Sequence, residues 1–139
     1  MATTPRVHEF EVTVDRDGTA RSALGGPAIP RDDAWWAEHL VLAGLLRCTL
    51  ASLGYAARRA SLAVTAEGRA RGTVTKRESD GLYALVEIES SIDADVTPAP
   101  PDHAAVVRLI DWAERGCFVG NSLTAKPTYL WRVNGEQVR

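Results

Sequence analysis

Leu40-Val41-Leu42-Ala43-Gly44-Leu45-Leu46-Arg47-Cys48-Thr49-Leu50-Ala51 is apolar on nearly every face once it is wound into a helix. A surface helix carries one apolar stripe and one polar one, whereas a helix apolar all round belongs inside. The helix around this stretch is expected to run from about Ala34 to Arg59, with Asp32 and Asp33 as N-cap and favourable negative charge. A chain of 139 residues fits one domain, 1–139. One sheet in such a domain gives too little cover for a long helix buried on all sides. A second copy of the chain would supply the rest, so the stretch predicts an obligate homodimer.

On the N-terminal side, His-Glu-Phe-Glu-Val-Thr-Val over residues 8–14 alternates polar and apolar side chains with the period of a half-buried strand. Asp15-Arg16-Asp17-Gly18 reads as a tight turn, and residues 19–24 as a returning strand. Beyond the helix, residues 61–74 and 82–92 read as two strands around the turn Ser79-Asp80-Gly81. Thr97-Pro98-Ala99-Pro100-Pro101 is a rigid connector. Asp102 caps a second helix, in which Ala105, Val106, Leu109, Ile110 and Ala113 recur at helical spacing. Gly116 ends that helix, and Cys117 opens a short segment, residues 118–125. Residues 127–133 form a last strand, followed by an Asn134-Gly135 turn. Grouped strands and helices of this kind imply an α+β fold, with antiparallel sheets around a long buried central helix.

Composition narrows the function. The net charge of −2, without a basic tail, argues against nucleic acid as a partner. Residues 1–16 carry charges throughout and lack the apolar core of a signal peptide. The apolar run 40–46 is too short to span a bilayer, so no membrane partner and a cytoplasmic location are expected. His8, His39 and His103 match no metal-ligand spacing, and neither metal nor cofactor is expected.

Two cysteines remain. Small buried cysteines are often plain core residues, but a thiol pair in a reducing compartment is more often redox-active than a structural staple. Cys48 lies in mid-helix. Cys117 follows a glycine at the start of a new helical segment, where backbone N–H groups favour a thiolate.

Two motifs carry a family resemblance. Ala37-Glu38-His39-Leu40-Val41-Leu42-Ala43-Gly44-Leu45-Leu46-Arg47-Cys48 and Ala113-Glu114-Arg115-Gly116-Cys117-Phe118-Val119-Gly120-Asn121-Ser122-Leu123 resemble the two cysteine motifs of the OsmC/Ohr family. Glu38 and Cys48 keep that family's ten-residue spacing, and Tyr129-Leu130-Trp131-Arg132-Val133-Asn134-Gly135 is similar to the terminal strand of some members. Phe118 stands where many members have proline, and Trp35-Trp36-Ala37-Glu38 replaces the Asn-Pro-Glu that often begins the helix.

The resemblance implies an OsmC-like fold, an intertwined homodimer, and a thiol peroxidase acting on organic hydroperoxides or hydrogen peroxide. It implies that Cys48 attacks, that Cys117 resolves the resulting sulfenic acid as a disulfide, and that a dithiol reductant restores both thiols. It further implies an arginine held by Glu38 to steady the thiolate: Arg16 by its Asp-Arg-Asp-Gly turn, or else Arg21 or Arg47. Ten residues of straight helix span about 15 Å. Glu38 of a continuous helix would therefore serve the partner's site. Trp35, Trp36, Trp112 and Phe118 are candidates to wall an apolar substrate pocket. A non-enzymatic ligand-binding or redox-sensing protein on the same fold stays open.

Overall fold

The computed structural model describes residues 3–139. The chain divides at Trp36 into two compact units. In the first, β1 (Val12–Val14) pairs antiparallel with β2 (Ala20–Ser22). Asp15 to Gly18 makes the turn, closed by a Gly18 N–H donating to the Asp15 carbonyl at 2.9 Å. Both strands are shorter than their sequence patterns, and Phe10, Val12 and Val14 are exposed. A two-stranded hairpin has no second layer to bury its apolar side chains, which leaves it marginal in water.

Asp32 caps a turn rather than a helix. Its carboxylate accepts from the Ala34 N–H at 2.8 Å, and its carbonyl accepts from the Trp35 N–H at 2.9 Å. The helix α1 (Ala37–Arg59) therefore starts later than the expected Ala34.

The second unit holds α1, α2 (His103–Arg115), the short α3 (Phe118–Ser122) and a four-stranded sheet. The sheet order is β3 (Ala63–Lys76), β4 (Tyr83–Thr97), β5 (Thr128–Val133), β6 (Glu136–Gln137). The β3–β4 hairpin is longer than expected and runs to the pair Ala63↔Thr97. Its reason lies in β4: Ile88, Ser90, Ile92, Ala94 and Val96 are buried while the residues between them face out, an unbroken period of two. Beside the expected antiparallel pairings, the four-stranded sheet holds one parallel pair. β5 lies parallel to β4, because α2 and α3 intervene and a parallel pair needs such a crossover. Asn134 and Gly135, at φ 50° and 82°, turn β5 into β6, as left-handed turn positions require.

Two glycines let α1 approach the sheet. A Cβ on Gly68 would stand 2.9 Å from both Leu46 and Ile92, and one on Gly72 would stand 2.8 Å from Leu85 and 3.4 Å from Leu42. Leu42 and Leu46, one helical turn apart, thus lie over two side-chain-free positions of β3. Within the chain α1 is not buried on all sides. Leu45, Thr49, Leu53, Ala56 and Ala57 form its buried stripe, while Leu40 is 43% and Tyr55 52% exposed. Its 23 residues, with an 18-residue window of mean hydropathy 1.6, are long and apolar enough to cross a membrane by length and composition, although the run 40–46 alone is not.

Two apolar clusters fill the space between helices and sheet. The larger gathers Leu53, Ile92, Val96, Ile110, Ala113 and Trp131. Trp131 Nε1 donates to the Glu114 carboxylate at 2.8 Å, and Arg139 closes on the same oxygen at 2.8 Å and on Asp111 at 2.7 Å. The smaller cluster is Leu45, Ile88 and Cys117, with Leu42, Cys48 and Val119 packed against it.

Candidate functional site

Asp102 caps α2 as expected, its carboxylate accepting from the Ala105 N–H at 2.8 Å. α2 ends at Gly116, and Cys117 is the N-cap of α3. The turn carries Cys117 down onto α1 beside Cys48. Consecutive backbone N–H groups then reach the two sulfurs: Val119 donates to Cys48 Sγ at 3.5 Å, and Gly120 donates to Cys117 Sγ at 3.4 Å. Both thiols are free. Cys48 is half-buried and Cys117 wholly buried.

The expected lowering of the Cys117 thiol by its helix start does not prevail. Burial pushes the thiol up, and the neighbouring Cys48 adds to the rise. The Thr49 hydroxyl and the Gly120 N–H pull in the opposite direction. Loss of hydration disfavours the charged form more than these contacts favour it.

Two side chains that the sequence reading passed over, Thr49 and Tyr129, complete the site. Thr49, wholly buried, donates to the Leu45 carbonyl at 2.9 Å and lies 3.4 Å from Cys117 Sγ. The Tyr129 phenol, on β5, neighbours both Thr49 and Cys117, and burial pushes its pKa up. A Cβ on Gly120 would meet the Tyr129 oxygen at 3.2 Å and Cys117 Sγ at 3.3 Å, so glycine leaves room for both. Ser90 pairs with Tyr129 across the sheet. It is fully buried, and its hydroxyl has no hydrogen-bond partner. One signal for Thr49 was available, since it is the one hydroxyl in the apolar run 40–51. Tyr129 and Ser90 become neighbours only through the parallel pairing.

The other candidates lie on other elements or on other turns of α1. Glu38 lies exposed in the first turn of α1, and α1 is continuous from there to Cys48, so about 15 Å of helix separates them. Arg16 is exposed in the β1–β2 turn, Arg21 pairs with Asp15 at 3.1 Å, and Arg47 is exposed on α1. Trp35 and Trp36 are exposed in the first unit, where Trp36 Nε1 donates to the Asp33 carbonyl at 3.1 Å. Phe118, next to Cys117, is 58% exposed. Trp112 lies under the Arg59 guanidinium, 5.7 Å from its ring centroid, in a surface cation–π pair. A groove of about 400 Å³ opens on the outer face of the sheet, lined by Glu67, Arg69, Asp93, Leu130 and Arg132 among others. Among the described residues no three His, Cys, Asp or Glu side chains form a metal cluster.

No protein-family profile matches the chain, and no curated protein matches it. Solved structures do. An OsmC-like protein from Mycoplasma pneumoniae aligns with a TM-score of 0.68 at 18% identity, covering 94% of this chain and 98% of that one. An OsmC-like protein of unknown function from Vibrio cholerae gives 0.72 at 15% identity, covering 90% and 99%. An organic hydroperoxide resistance protein of Bacillus subtilis gives 0.57 at 16% identity, covering 91% and 96%. The chain therefore has the OsmC-like α+β fold over nearly its whole length.

Proposed function

We propose, from the fold shared with OsmC-like and organic hydroperoxide resistance proteins, that this chain is a thiol peroxidase that reduces organic hydroperoxides. One observation carries the reading: two adjacent free thiols of unequal exposure, each receiving the N–H of one of two consecutive residues. The half-buried Cys48 is the one a peroxide can reach. Its thiolate attacks the peroxide, the O–O bond breaks, an alcohol leaves, and Cys48 becomes a sulfenic acid. Cys117, shielded from the same oxidant by burial, condenses with that acid, and water leaves as the disulfide forms. A dithiol reductant returns both thiols by exchange. The reaction needs neither metal nor organic cofactor.

Dimerisation belongs to the same reading. The open face of α1, the apolar side chains of the β1–β2 hairpin and the free edge of β3 are surfaces that a second copy would cover. In such a homodimer Glu38 of one chain would serve the partner's Cys48. The roles the resemblance implies for Arg16, at the thiolate, and for Trp35, Trp36 and Phe118, at the substrate, belong to the same proposal. A cytoplasmic location fits thiols that must be kept reduced between turnovers.

The test is rapid mixing of the reduced protein with equimolar cumene hydroperoxide, following free thiols and intact mass. Expected are fast loss of two thiols in the native sequence, none in Cys48→Ser, and a trapped sulfenic acid in Cys117→Ser. Thiols that survive as long as free cysteine would refute the proposal.

A further inference from the structure

Cys117 is the more deeply buried thiol, and burial opposes the charge its sulfur must develop to react. Besides the Tyr129 phenol, two donors face that sulfur. One is the Gly120 N–H, fixed in the backbone. The other is the Thr49 hydroxyl, which has a choice. While Cys117 is a thiol, Thr49 donates to the Leu45 carbonyl at 2.9 Å, and the S–H has two acceptors in reach, the Thr49 oxygen at 3.4 Å and the same Leu45 carbonyl at 3.9 Å. A hydroxyl has one proton and rotates to suit its partners. As negative charge builds on the sulfur, that proton can swing from the carbonyl to Sγ without displacing any heavy atom.

We infer that Thr49 is a positioning residue for Cys117, accepting from its thiol at rest and donating to its sulfur as the disulfide forms. The inference rests on the peroxidase reading for its catalytic setting. In that step Cys117 Sγ attacks the sulfur of the Cys48 sulfenic acid; the S–S bond forms and the S–O bond breaks. The departing hydroxide leaves as water with the proton of the Cys117 thiol. Cys117 is oxidised and the sulfenic sulfur reduced, and Thr49 keeps its own proton, which returns to Leu45. Two other titratable groups face the sulfur: Cys48 on α1, beside Thr49 in sequence, and Tyr129 on β5, whose phenol neighbours both partners. At this step Cys48 is itself the sulfenic acid under attack, and the Tyr129 phenol is a further donor beside the sulfur, so Thr49 acts next to it.

Thr49→Val keeps the shape and removes the hydroxyl, and Thr49→Ser keeps the hydroxyl. With equimolar cumene hydroperoxide, Thr49→Val should form the Cys48 sulfenic acid at the native rate but close the disulfide about ten- to a hundredfold more slowly, the weight of one hydrogen bond to a charged group. Thr49→Ser should restore closure. Closure at native speed in Thr49→Val, or equal slowing in Thr49→Ser, would overturn the inference. Should Thr49→Val fail to fold, Thr49→Ala replaces it. A second readout does not depend on peroxide chemistry. In Cys48→Ala protein with isotopically labelled cysteine, the Cβ chemical shift of Cys117 is titrated with pH. Removing the Thr49 hydroxyl should raise the midpoint and Thr49→Ser should not. An unmoved midpoint sinks the inference even if the peroxidase reading holds. A moved midpoint in a protein inert to peroxide keeps the Thr49 contact and discards the reading.

Discussion

The two apolar clusters that share α1 and β4 are made of different materials. Leu53, Ile92, Val96, Ile110 and Trp131 form an apolar mass whose one polar atom, the Trp131 indole N–H, is satisfied by Glu114. The cluster around Leu45, Ile88 and Cys117 is smaller. It holds the Cys117 thiol and borders Cys48 and the buried Thr49, while Ser90, a buried hydroxyl with no partner, stands on β4 between Ile88 of this cluster and Ile92 of the other. A buried polar group without a hydrogen bond costs about 1–3 kcal/mol. The first cluster is thus built to hold the unit together, whereas the second keeps a thiol and a hydroxyl inside it.

The contrast can be broken at three places. The largest effect is expected for Trp131→Ala, which empties the centre of the large cluster and strips Glu114 of a donor. Urea denaturation should show a loss of about 3–5 kcal/mol, and a loss under about 1 kcal/mol would mean that this cluster does not carry the fold. Gly68→Ala comes next. Its methyl would press on Leu46 and Ile92, both 2.9 Å from the new Cβ, at a cost of about 1–3 kcal/mol from overpacking. An unchanged denaturation midpoint would show that the α1–β3 seam is slack. Smallest is Ser90→Ala, on β4 between the two clusters, expected to be neutral or stabilising by up to about 1 kcal/mol, since an unsatisfied hydroxyl is removed. A clear loss of stability would show that the hydroxyl has a partner after all.

How much of this could be read in the sequence follows the range of the forces involved. α1, the β3–β4 hairpin, the Asp102 cap and the Asn134-Gly135 turn are local matters of periodicity, capping and turn chemistry, and all are found near their expected places. The helix start was misread because Asp32 serves equally well as the cap of a turn. The parallel β5 was not legible, since nothing in residues 127–133 records which strand they will join. Thr49 looked like one more residue of a buried helix. It becomes a sulfur's hydrogen-bond partner only when Cys117, 68 positions away, is folded back onto it. The two cysteines were singled out from composition and context, but their unequal burial needed the packed structure. Glu38 stands about 15 Å of helix away from Cys48 of its own chain.

The parallel pairing of β5 with β4 also bears on the order of assembly. Ser90 and Tyr129 meet only after α2 and α3 have been threaded across, and contacts so distant along the chain must overcome a large loop-closure entropy before they return any stability. A chain that has already zipped its β3–β4 hairpin beneath α1 still lacks the wall that shields Cys117. Protection of this thiol during refolding therefore clocks the docking of the crossover, not the collapse of the hairpin.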